Sequence, residues 1–83
     1  MINKILLKKT RKLVRELFDD HIRDLNIKGQ PEAIEKVGNL LFVTLLADFK
    51  DEDESVVTIM MESFAVVYEE KVGKEFFIKG VIL

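Results

Sequence analysis

His21, the chain's single histidine, stands beside Asp20 and within one helical turn of Asp24. An imidazole flanked by carboxylates is the material of a general base. No Ser, Cys or Lys lies at a spacing that would make a nucleophile for it, so a surface histidine among acids is the better reading. The acidic run Asp51, Glu52, Asp53 and Glu54 offers oxygen ligands for calcium or a mimic of nucleic-acid phosphates. It lacks the alternating ligands and central glycine of an EF-hand loop, and acids at a helix start explain it fully. Gly73-Lys74 is far short of a phosphate-binding glycine-rich loop. Zero cysteines and one histidine exclude a disulfide scaffold, a Cys-based zinc site and a His-rich metal site. No catalytic, metal or cofactor residue is assigned, and the chain reads as non-enzymatic.

Charge is the stronger signal. Residues 2–17 carry six cations, Lys4, Lys8, Lys9, Arg11, Lys12 and Arg15, before the first acid, Glu16, in a chain of net charge −2. Lys4, Lys8, Arg11, Lys12 and Arg15 share one helical face and are the candidate polyanion-binding set, able to neutralise several phosphates without reading sequence. No aromatic residue is interleaved for base stacking, and no basic loop supplements the helix. The same helix on a membrane surface would lack an anchoring Trp, and its Leu-rich face is needed for the core.

An internal match also accounts for the layout. Lysines at a helix start and Asp19, Asp20 and Asp24 near its end both oppose the macrodipole. If three helices run up, down and up, the basic start lies beside the acidic loop of residues 48–54, and the three aspartates approach Lys71 and Lys74. Each exposed pair is weak, yet all of them favour one helix order.

The elements follow from three breaks: residues 28–31 (Lys-Gly-Gln-Pro), residues 50–54 (Lys50 and the four acids after it), and residues 72–74 around Gly73. Segment 3–27 has Leu6, Leu13, Val14, Leu17, Phe18 and Leu25 opposite the cations. Segment 31–49 opens with Pro31 and Glu32, a good helix start, and places Ile34, Val37, Leu41, Leu45 and Phe49 at helical spacing. Phe42, Val43 and Leu46 fall off that stripe, which predicts a helix buried nearly all round. The alternative is a break at Gly38-Asn39 followed by a strand. Segment 54–72 is rich in β-branched residues. Even so, Val56, Val57, Met60, Met61, Phe64, Ala65, Val67, Tyr68 and Val72 occupy one half of a helical wheel. Ile59 and Val66 sit among its polar residues. Met60, Met61, Phe64 and Tyr68 are read as core rather than as a ligand groove.

The expected fold is therefore mainly α, a three-helix antiparallel bundle over about 3–27, 31–49 and 54–72, with a short apolar C-terminal strand or extended tail. The alternative is α+β, with N-terminal helices and an antiparallel meander from residue 40. One domain accounts for residues 1–83, and no apolar run is long enough to cross a bilayer. A cytoplasmic, unprocessed protein is expected, since Lys8, Lys9, Arg11 and Lys12 fall where a signal peptide would be apolar.

The segments PEAIEKVGN, LLFV, DEDESVV and FAVVYEEKVGKEFFI, within residues 31–78, resemble in layout the phage uracil-DNA glycosylase inhibitor family. That resemblance implies a small α+β DNA mimic acting through Glu32, Glu35 and the acids Asp51, Glu52, Asp53 and Glu54. The nearly neutral net charge and the basic first helix depart from it.

With 48% hydrophobic residues in 83, the chain has more apolar side chains than a small core readily hides. The off-stripe Phe42, Leu46, Ile59 and Val66 and the tail residues Phe76, Phe77, Ile78, Val81 and Ile82 are the candidate partner interface. The functional expectation is a protein–protein interaction module, a regulator, adaptor or inhibitor, homodimeric through self-association. Nucleic-acid binding by the basic face and phage-type acidic mimicry are the alternatives.

Overall fold

A computed structural model describes residues 4–76 of the chain, and three α-helices account for most of them: α1 Lys4–Asp24, α2 Pro31–Phe49 and α3 Glu54–Val72. The sequence predicts two of these spans to the residue. Pro31 occupies the first turn of α2, where its missing N–H costs nothing and its fixed φ suits the helix. Gly73 ends α3 in the left-handed region (φ 80°), its N–H donating to the Glu69 carbonyl.

The first helix stops sooner than the expected residue 27 because Asn26 takes φ 55°. Ile27 N–H then donates to Ile22 O, and Asn26 N–H to Arg23 O. These are the two bonds of a Schellman cap, closed by Ile22 and Ile27, which both pack against the core.

Among the described residues no strand occurs, so the meander expected as the alternative is absent there. Gly38-Asn39 does not break α2. Gly38 has a packing role instead. It lets α2 approach so closely that a Cβ there would lie 2.8 Å from Tyr68 Cε2 and 2.9 Å from Phe18 Cζ. The β-branched residues of α3 do not divert it into a strand, because one continuous face of Met60, Phe64, Val67 and Tyr68 is buried only if the segment is helical.

The core is a cluster of Val14 and Phe18 from α1, Val37, Leu41 and Phe42 from α2, and Phe64, Val67 and Tyr68 from α3. Its aromatic centre links Phe18 to Phe64 (ring centroids 6.2 Å) and Phe64 to Phe42 (5.2 Å). Phe76, just past α3, folds back on Phe42, Phe64 and Tyr68 at 4.8, 5.1 and 4.6 Å.

Three ion pairs between distant parts of the chain border this core. Arg15 grips Glu70 with both prongs of its guanidinium, Nε to Oε2 at 2.8 Å and Nη2 to Oε1 at 2.7 Å. Lys71 pairs with Asp19, and Lys74 with Glu35 at 2.7 Å.

Two expectations about burial change. The α1 core line turns toward the side that carries Arg11 and Arg15, both half-buried, because α3 engages that side through Glu70 and Lys71. Leu6 and Leu13, expected on the core face, are exposed in consequence, and Leu25 lies past the helix end in the cap. Nor is α2 buried all round: its outer face, with Leu40 and Val43, is open. No helix among the described residues is long and apolar enough to cross a membrane.

Candidate interaction surface

The outer face of α2 is set by a second periodicity running opposite the first. Ile34, Val37, Leu41 and Leu45 turn inward. On the far side stand Ala33, Lys36, Leu40, Val43, Ala47 and Lys50, spaced 3-4-3-4-3, the spacing of a coiled-coil seam. Lys50 keeps helical angles (φ −60°, ψ −27°), so the seam runs to the end of the helix. Leu40 is 69% and Val43 64% exposed, one turn apart, with exposed Ala47 a further turn on. Thr44 beside them is turned inward on its own helix, its hydroxyl donating to the Leu40 carbonyl at 3.0 Å, so it adds no competing polarity. At the N-terminal end of the seam lies an open depression of about 510 Å³ lined by Gln30, Pro31, Glu32, Ala33 and Lys36.

Glu32, Lys36 and Lys50 are exposed, and none has an ion-pair partner among the described residues. The seam therefore presents two adjacent aliphatic side chains, flanking alanines and charges of both signs, of which Glu32 also acts electrostatically on Lys74. Adjacent exposed aliphatic side chains rimmed by charge have the make-up of a surface suited to contact with another protein.

The expected partner residues are placed differently. Phe42 and Ile59 are buried inside the chain, Phe42 between Phe64 and Phe76, and so are not free to face a partner. Their off-stripe positions are filled by this chain's own packing: the core of α2 and α3 is wider than one stripe. Leu46 and Val66 are half-buried at its edge. Phe76 covers the core from the tail side, while Phe77, Ile78, Val81 and Ile82 lie outside the described residues. Leu40, Ala47 and Lys50 were not singled out from the sequence. Their signal was the 3-4 spacing, which is masked by the denser inner stripe of the same helix.

The basic face divides in two. Arg15 is committed to Glu70, whose hydrogen-bonded carboxyl it holds below the ordinary glutamate range. Arg11 is half-buried, with its Nε atom enclosed and unbonded. Lys4, Lys8 and Lys12 are exposed and have no ion-pair partner among the described residues. The match expected between these lysines and the acidic connection is thus not made by any direct pair. At the opposite end the expected match is partly made, Asp19 to Lys71, while Lys74 takes Glu35. The hydrogen bond to Glu35 raises the Lys74 ammonium pKa above its ordinary value.

Asp51, Glu52, Asp53 and Glu54 are exposed at the α2–α3 connection, and Asp53 occupies the N-cap of α3 without a side-chain capping bond. His21 Nδ1 donates to the Leu17 carbonyl at 2.9 Å, and Arg23 draws both Asp20 and Asp24 to itself at 3.3 Å. The elements of a general base are thus committed to structural contacts. Among the described residues no group of three or more His, Asp or Glu is gathered as a metal site.

Comparison with known protein families, with curated proteins and with solved structures returns no match to this chain. The layout of residues 31–78 that resembles the glycosylase inhibitor family is, within the described residues, two helices rather than the α+β arrangement the resemblance implies.

Proposed function

We propose that this chain is a small non-enzymatic protein–protein interaction module, a cytoplasmic regulator, adaptor or inhibitor that acts by stoichiometric contact through the outer face of α2. The observation that carries this reading is the adjacent exposure of Leu40 and Val43 on a helix whose opposite side already serves the core. An antiparallel, up-down-up order of the helices is part of the proposal. It is supported by the Arg15–Glu70, Asp19–Lys71 and Glu35–Lys74 pairs and by the approach of Gly38 to Phe18 and Tyr68. In that order α2 keeps its outer face away from both neighbours.

The test is quantitative capture from the cells that make the protein, comparing the wild type with Leu40→Ser/Val43→Ser and with Leu13→Ser, an equally exposed α1 site. Loss of a bound protein only in the α2 variant is expected. Equal capture by all three, or none by any, overturns the reading.

A second reading is polyanion binding by Lys4, Lys8, Arg11 and Lys12, favoured by Lys4, Lys8 and Lys12, which are exposed and make no ion pair among the described residues. Neutralising Lys4, Lys8 and Lys12 should then weaken duplex DNA binding and flatten its salt dependence by about three counterions. Absence of wild-type binding at about 50 mM salt removes this reading.

A further inference from the structure

We infer that the partner on the outer face of α2 is a second copy of this chain, bound antiparallel about a two-fold axis that passes between Leu40 and Val43. The inference rests on the docking role proposed for that face and names its occupant.

The seam is self-complementary when reversed. An antiparallel partner places residue i opposite residue 83 − i, and each seam position then meets another: Leu40 faces Val43 of the second copy, Lys36 faces Ala47, and Ala33 faces Lys50. Two aliphatic side chains thus meet across the axis, and on either side of it each lysine stem lies over an alanine, where a larger residue would hold the helices apart. The open depression lined by Pro31, Glu32, Ala33 and Lys36 lies where the end of the partner's α2 arrives.

Charge selects the same register. Glu32 and Lys50 are eighteen residues apart, five full turns, and so project from the same edge of α2. Antiparallel helices bring like edges together, so Glu32 of each copy meets Lys50 of the other, once at each end of the contact. Both groups are exposed and have no ion-pair partner among the described residues. A parallel pairing would leave Glu32 of one copy and Lys50 of the other at opposite ends of the contact, about 27 Å apart along the helix axis. One face making the same contact from both sides is what a closed two-fold dimer requires. A single helix pair is a small interface, so the dimer dissociates within an accessible concentration range.

Sedimentation equilibrium of the full chain, from about 1 µM to 1 mM, compares the wild type with Glu32→Lys, Lys50→Glu and the double reversal. Circular dichroism checks that each variant retains its helix content. The expected result is a wild-type monomer–dimer equilibrium, a dissociation constant raised about tenfold by either single reversal, and recovery in the double variant. A chain monomeric throughout, a dimer indifferent to the reversals, or a double variant no better than the singles would overturn the inference. A monomer that still captures another protein through Leu40 and Val43 overturns self-pairing alone; a monomer that captures none overturns the docking role as well.

Discussion

Replacing Gly38 by Ala adds one methyl group where α2 meets both neighbours. The new Cβ would lie 2.8 and 2.9 Å from two Tyr68 ring carbons and 2.9 Å from the tip of the Phe18 ring. Ordinary carbon contacts begin near 3.5 Å, so three contacts are each short by about 0.6 Å. Neither ring is a loose end. Phe18 and Tyr68 are buried, each against Phe64, and Tyr68 also meets Phe76 at 4.6 Å. Relief must come from moving α2 outward or from driving the rings off their rotamers, which for an overpacked core costs about 2–3 kcal/mol. Alanine returns about 1 kcal/mol in helix propensity over glycine. The net is a loss of about 1–2 kcal/mol. With a urea m-value of about 1 kcal/mol/M for so small a chain, the unfolding midpoint should fall by about 1–2 M at unchanged m. A midpoint equal to or above that of the wild type would refute the reasoning, since propensity alone predicts stabilisation.

Ser63 is fully buried with its hydroxyl unbonded, so Ser63→Ala should raise stability by about 1 kcal/mol, measured by the same urea titration. Phe76→Ala removes three ring contacts from a half-buried position and should cost about 2 kcal/mol, read as a lower urea midpoint. The Glu70 carboxyl is held below its ordinary range, so its contribution is present above that range and is lost as pH falls through its lowered folded value. Glu70→Gln should therefore lower the thermal midpoint slightly near pH 7 and flatten its decline in acid; a parallel decline in both proteins would contradict the pairing with Arg15. The effect is small because both groups are more than a third exposed.

Helix boundaries were legible wherever a residue has one dominant backbone consequence. Pro31 and Gly73 mark the start of α2 and the end of α3 in sequence and structure alike. Asn26 marks the end of α1 less clearly, because asparagine accepts the left-handed region without requiring it. Rotation of the helices about their axes was harder to read. The side of α1 that faces the core depends on α3, whose Glu70 and Lys71 engage Arg15 and Asp19 across more than fifty residues of chain. That long-range choice is what left Leu13 in solvent. The interaction surface was hidden by superposition: inner and outer stripes of α2 together read as a helix apolar all round, and only the structure shows which stripe the core uses.

Since the chain has no cysteine, single introduced thiols report directly on whether the outer face of α2 is covered in the cell. Val43→Cys and Leu13→Cys start from nearly equal exposure, 64% and 66%, and so form a matched pair. The measurement is the ratio of their labelling rates by a membrane-permeant maleimide, in intact cells and in dilute purified protein. A ratio near one in dilute protein that falls severalfold in cells, through protection of position 43 alone, is the predicted result. An unchanged ratio, with both thiols reacting in cells as they do in dilute solution, would contradict the claim that this face is where the protein does its work.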